Sequence, residues 1–169
     1  MNMDSNEINI LSIRAKQSIG AILLYEAALI EKVLTPDLGK LILHLFSVLS
    51  EKNLPHWERN GAVLSINGRG DALDEISRLI FGSNEFILDL IDFSTEIGLS
   101  CMYKSDFDTA NIFLKKCIEV IKNTPRAKSI LKIDISDFDS MQALDWGATI
   151  SAEHLSKLKQ KHMPLIEKV

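Results

Sequence analysis

The stretch EFILDLIDFSTEIGLSCMY, residues 85–103, decides how the rest of the chain must fold. Wound at about 3.6 residues per turn, Glu85, Asp89, Asp92 and Glu96 fall on one face, while Phe86, Ile87, Leu90, Ile91, Phe93, Ile97 and Met102 spread over the other directions. A helix apolar over most of its circumference belongs inside a bundle, with only the carboxylate line turned outward. The expectation is therefore an all-α, single-domain bundle of about seven to nine helices, with a central apolar helix near 84–104. The domain spans 1–169 and comprises an N-terminal helical hairpin over 5–52, an acidic middle over 55–104 and C-terminal helices over 105–163.

Composition agrees with one core. The chain has 169 residues, 46% hydrophobic and 25% charged, the proportions of an ordinary globular domain that needs no disulfide or metal to fold. The N-terminal residues lack a basic leader and a compact apolar centre, and no apolar run approaches the ~20 residues of a spanning helix, so a cytoplasmic protein is expected. Cys101 and Cys117 both lie in apolar helical patterns and read as reduced, buried thiols. Net charge is −4, and the excess sits in the middle, where residues 55–104 carry 4 basic against 8 acidic side chains. An acidic centre argues against nucleic acid or an anionic membrane as ligand.

Upstream, Asp4-Ser5-Asn6-Glu7 has the form of a capping box, and Ile8, Leu11, Ala15, Ile19, Ile22, Leu29 and Val33 predict a long amphipathic helix to about Leu34. Thr35-Pro36-Asp37 opens a second helix, which Asn53-Leu54-Pro55 stops. A short helical piece follows with Trp57 as a core anchor, then the turn-rich run Asn67-Gly68-Arg69-Gly70-Asp71-Ala72. Helix 72–81 should bury Leu73, Ile76, Leu79 and Ile80 and end at Gly82 in a left-handed cap. Beyond the central helix, Ser105 opens another whose Phe107, Ala110, Phe113, Leu114, Cys117 and Ile121 face inward, and Thr124-Pro125 opens a shorter one. Residues 132–135 could be briefly extended, Ser136 to Trp146 reads as a helix ended by Gly147, and Ser151 starts the last helix, with Lys157, Lys159, Lys161 and His162 toward its end.

Catalytic signatures are missing from the sequence: no phosphate loop, no nucleophile elbow, no paired-histidine zinc motif and no Cys-x-x-Cys. His44, His56, His154 and His162 are isolated, and His44 borders the apolar stripe of the second helix as a partly buried ring. No cofactor, no metal ligand and no catalytic residue are assigned. The carboxylates Glu85, Asp89, Asp92 and Glu96 could be a solvated face or an interface. Like charges four apart on a helix destabilise it by about 0.2–0.5 kcal/mol per pair, a repulsion that a basic partner would relieve. Asp71, Asp74 and Glu75, on the preceding helix across the Gly82 corner, extend the stripe into a candidate partner-binding patch.

Two resemblances bear on this. The order Trp57, Asp71 opening a helix, Phe81-Gly82, then Asp89-Leu90 resembles a family of small uncharacterised bacterial helical proteins, some encoded beside secreted toxins as immunity proteins; it covers residues ~50–92. Ile97, Gly98, Cys101, Phe107, Ala110, Leu114 and Cys117 resemble one tetratricopeptide-like hairpin over 94–121, without a second copy. The first implies a protein that binds rather than reacts: a non-enzymatic immunity protein meeting a basic toxin domain through its acidic surface. The alternative is a helical adaptor that holds a peptide or protein in a groove beside the hairpin.

Overall fold

The computed structural model describes residues 8–69, 74–103, 107–132 and 134–168, with residues 74–76 described by backbone only. Seven α-helices lie among them: α1 (Ile13–Glu31), α2 (Pro36–Ser47), α3 (Leu54–Ala62), α4 (Asp74–Phe81), α5 (Glu85–Met102), α6 (Asp108–Lys122) and α7 (Ala152–His162). Three 3-10 segments, Pro125–Lys132, Ser136–Phe138 and Ile166–Lys168, complete the regular structure. The described residues contain no strand, and their one β-bridge joins Leu11 to Gln142. The chain is thus an all-α, single-domain bundle. No described helix is long and apolar enough to cross a membrane.

Helices α1 and α5 share the centre. Helix α5 packs between α1 and α6, and α1 also meets α2 and the 3-10 segment after α6. Along α5, Ile87, Leu90, Ile91 and Ile97 are almost fully enclosed. Each such side chain contributes about 1.5–3 kcal/mol by leaving water.

Helix α1 departs from the amphipathic expectation, because it is buried on all sides for most of its length, including Arg14, Lys16, Gln17 and Ser18. Ser18 donates to Arg14 O one turn back, whereas Arg14, Lys16 and Gln17 reach backbone carbonyls outside the helix. Arg14 donates to Val48 O and, at 3.3 Å, to Gly147 O, and its guanidinium lies 5.9 Å from the centre of the Trp146 ring. Lys16 Nζ donates to Asn9 O at 3.2 Å. Burial lowers the pKa of both, with Glu51 opposing it at Arg14 and Cys101 the first of the groups opposing it at Lys16. Gln17 lies across α5: its amide nitrogen donates to Ser94 O at 2.8 Å and its oxygen accepts from Gly98 N at 2.7 Å. A Cβ on Gly98 would stand 2.7 Å from that oxygen, which is why glycine sits there.

Helix boundaries follow capping chemistry, each cap being worth about 1 kcal/mol. Thr35, Asn84 and Ser151 cap α2, α5 and α7 through their side chains, and Gly82 takes a positive φ of 60° after α4. Several boundaries differ from the sequence reading. The capping box at residues 4–7 lies outside the described residues; after a helical turn at residues 8–9, Ser12 caps α1 by accepting from Ala15 N. Asn53 does not stop a helix but caps α3, accepting from His56 N at 3.0 Å, since α2 already ends at Ser47. The proposed openers Asp71 and Ser105 lie outside the described residues.

Two corrections concern packing. On α4, Leu79 and Ile80 are exposed, at 84% and 42%, while Ser77 and Phe81 are buried; Leu73 and the side chain of Ile76, the other two expected inside, lie outside the described residues. Phe107 is likewise partly exposed, whereas Ala110, Leu114, Cys117 and Ile121 are buried as expected. The helix expected from Ser136 to Trp146 is only the 3-10 turn Ser136–Phe138, and the chain then runs irregularly to residue 151. Its backbone is engaged elsewhere: Ser12 N donates to Met141 O, Ile13 N to Asp145 O and Ala143 N to Ile10 O, at 2.8 to 3.1 Å. Of the segment 132–135, Ile133 lies outside the described residues and the remainder is not strand.

Candidate functional site

The carboxylate stripe is the outer edge of the otherwise buried helix α5. Glu85 and Asp92 are exposed, and Asp89 and Glu96 are half-buried at its margin. The pKa of Asp89 is raised, first by partial burial and second by the charge of Glu85 one turn away. Asp74 and Glu75 occupy the first turn of α4, with their side chains outside the described set, and Asp71 lies wholly outside it. The structure therefore aligns Glu85, Asp89, Asp92 and Glu96 on one edge.

Neighbouring elements hold this edge in place. Asn84 Nδ2 donates to Glu31 Oε2 at 3.1 Å, tying the start of α5 to the end of α1, and Arg126 pairs with the same carboxylate. Phe93 and Phe113 meet at 6.4 Å between α5 and α6, with the Lys116 ammonium about 5 Å from both ring centres. That arrangement places a cation against two aromatic faces on the flank of α5. Where α5 ends and α6 begins, Tyr103 is 73% exposed, Phe107 38% and Ile112 51%.

A second polar cluster escaped the sequence reading. The His44 ring stacks on Trp57 with centroids 4.9 Å apart and an interplanar angle of 13°, and Trp57 Nε1 donates to His44 O at 2.9 Å. Arg69 reaches back to α3, where Nη1 pairs with Glu58 Oε1 at 2.8 Å and Nη2 donates to Glu58 O at 2.9 Å. Burial, aided by the Arg69 charge, lowers the pKa of His44 to about 4, so the ring is neutral at neutral pH. His44, Trp57 and Arg69 are 12 to 25 positions apart in sequence and match no motif. Two glycines permit the close approach: a Cβ on Gly61 would meet His44 Nε2 at 2.5 Å, and one on Gly68, whose φ is +64°, would meet Thr95 Oγ1 at 2.5 Å.

The stacked, neutral His44 imidazole thus lies near a guanidinium that is itself paired with Glu58. His162 Nε2 lies 2.8 Å from Asp137 Oδ2, and Lys161 pairs with the same carboxylate. Cys117 is free and fully enclosed, and burial pushes its thiol pKa up, the opposite of what a nucleophile requires. Among the described residues no three His, Cys, Asp or Glu side chains converge as a metal site. Comparison of the chain with protein-family models, with curated proteins and with solved structures yields no match in any of the three.

Proposed function

We propose that this is a non-enzymatic protein-binding protein that presents the acidic edge of α5 to a basic surface of its partner. The observation that carries the reading is the alignment of four carboxylates along the one outward edge of a helix otherwise committed to the core, with the pKa of Asp89 raised by burial and by Glu85. Such a row raises the local negative potential, which steers a basic partner and is relieved when that partner docks. The resemblance over residues ~50–92 supplies the particular form of the proposal, a bacterial immunity protein that neutralises a toxin with a positively charged cleft. Asp71, Asp74 and Glu75 would extend the same acidic surface.

The test is charge reversal. Replacing Asp89 and Asp92 with Lys should preserve the helical circular dichroism, while affinity for a basic partner falls by about 2–5 kcal/mol and the salt dependence of the association rate flattens. Unchanged affinity and salt dependence in the double variant would remove the edge from the interface. A specific observation favours one second reading: Tyr103, Phe107 and Ile112 expose aromatic and aliphatic surface at the end of α5 and the start of α6, where an adaptor would hold a peptide. Substituting polar residues at those three positions, with the carboxylates intact, distinguishes the two by which set abolishes binding.

A further inference from the structure

Between the 67–69 turn and helix α5 lies a cavity of about 10 Å³, lined by His44, Trp57, Gly61, Arg69, Thr95 and Leu99 among others. Two polar atoms of its lining residues, Arg69 Nε and Thr95 Oγ1, are inaccessible to solvent and have no hydrogen-bond partner among the described residues. Thr95 as a whole is only 5% exposed. Buried polar groups are paired in folded proteins because leaving them dry forfeits their hydration, and two such groups lining one cavity call for a shared partner. The volume is close to the ~10–15 Å³ that one water needs, and far below that of any substrate.

We infer that this cavity is a built-in site for a single water molecule, which accepts from Arg69 Nε–H and bonds Thr95 Oγ1. The electrostatics choose water over a small ion of similar size. The Arg69 charge is already neutralised by Glu58 at 2.8 Å, so an anion would find no uncompensated cation, and a cation would face the guanidinium itself. The flanking glycines set the dimensions. Gly61 lets α3 close on His44, and Gly68 brings the turn within contact of Thr95, where a Cβ would also stand 2.9 Å from Ile91 O. The water is thereby a strut between α3, through Arg69 and Glu58, and the helix that carries the carboxylate edge; this holds whether or not that edge binds a partner.

The experiment combines water–protein nuclear Overhauser measurements on the full chain with three forms: wild type, Thr95→Val and Thr95→Ser. Wild type and Thr95→Ser should show a long-lived water near the Gly68 and Arg69 amides. Thr95→Val, nearly identical in shape, should lose that signal and exchange those amides roughly tenfold faster while its circular dichroism is unchanged. Crystals grown in bromide should show water-like density, without anomalous signal, within hydrogen-bond distance of Arg69 Nε. A wild-type protein lacking the long-lived water, with the Thr95 hydroxyl bonded to Ile91 O, would overturn the inference. Persistence of the signal in folded Thr95→Val, or bromide at the site, would do so as well. Should Thr95→Val fail to fold, the wild-type spectrum and the bromide crystals still decide the matter.

Discussion

Acidification should expose the cost of enclosing His44. Its imidazole titrates near 6.5 in the unfolded chain and at about 4 in the folded one, because burial first and the Arg69 charge second disfavour the cation. The unfolded chain therefore takes up the proton earlier as pH falls. The stabilisation is whole above pH 6.5 and is lost progressively as pH drops toward 4. Between pH 7.5 and 4.5 the two pKa values correspond to a loss of roughly 2.5 kcal/mol from this one group. Buried and ion-paired carboxylates such as Glu31 and Asp89 also titrate at the acid end, so the comparison must be internal. Urea unfolding of wild type and His44→Gln, followed by the fluorescence of Trp57 against which the ring stacks, supplies it. The stability difference between the two proteins should shift by roughly 2.5 kcal/mol in favour of His44→Gln over that interval. Parallel pH profiles, with a shift under about 0.5 kcal/mol, would refute the enclosure of the ring.

Three further outcomes are expected. Leu90→Ala or Ile91→Ala should each cost about 2–5 kcal/mol in chemical denaturation, since both side chains are essentially inaccessible, and a loss under about 0.5 kcal/mol at both would displace α5 from the centre. Cys117 should resist thiol reagents until the protein unfolds, whatever the pH between 6 and 9 (about the range accessible to such reagents), because its thiolate is penalised by complete burial; stoichiometric labelling of the native protein would contradict that. Gln17→Leu should lower stability by about 1–3 kcal/mol, measured by urea titration, as the α1–α5 hydrogen bonds vanish and polar backbone atoms lose a buried partner.

What the sequence disclosed and what it hid divide along a physical line. Information carried locally was readable: Thr35 and Ser151 as caps, Gly82 as a left-handed terminator, Trp57 as a core residue and the helical spacing of the carboxylates on α5. Information carried by distant partners was not. Arg14, Lys16 and Gln17 were not among the residues expected inside α1, because the carbonyls of Asn9, Val48 and Ser94 that satisfy them are brought near only by folding. The run after Ser136 had helical spacing, yet pairing with residues 10–13 outcompetes it, and Asp145 turns back to accept from Gly147 N at 2.7 Å. Leu79 and Ile80 misled for a related reason: hydrophobicity indicates what could be buried, and on α4 it is Ser77 and Phe81 that face the core. The His44–Trp57–Arg69 cluster was beyond reach, as its members come from three segments with no shared spacing.

The Gln17 clasp has a bearing on how any partner would be met. Because one enclosed amide engages Ser94 O and Gly98 N together, turning or sliding α5 by a single residue would break both hydrogen bonds at once and drive the Gly98 notch off the side chain it accommodates. The helix consequently has one register rather than a family of neighbouring ones, and its outward carboxylates hold fixed spacing and orientation before any encounter. A partner docking there would meet a rigid template, so little ordering entropy would be spent on the helix itself, and discrimination between correct and near-miss basic surfaces would rest on geometric match.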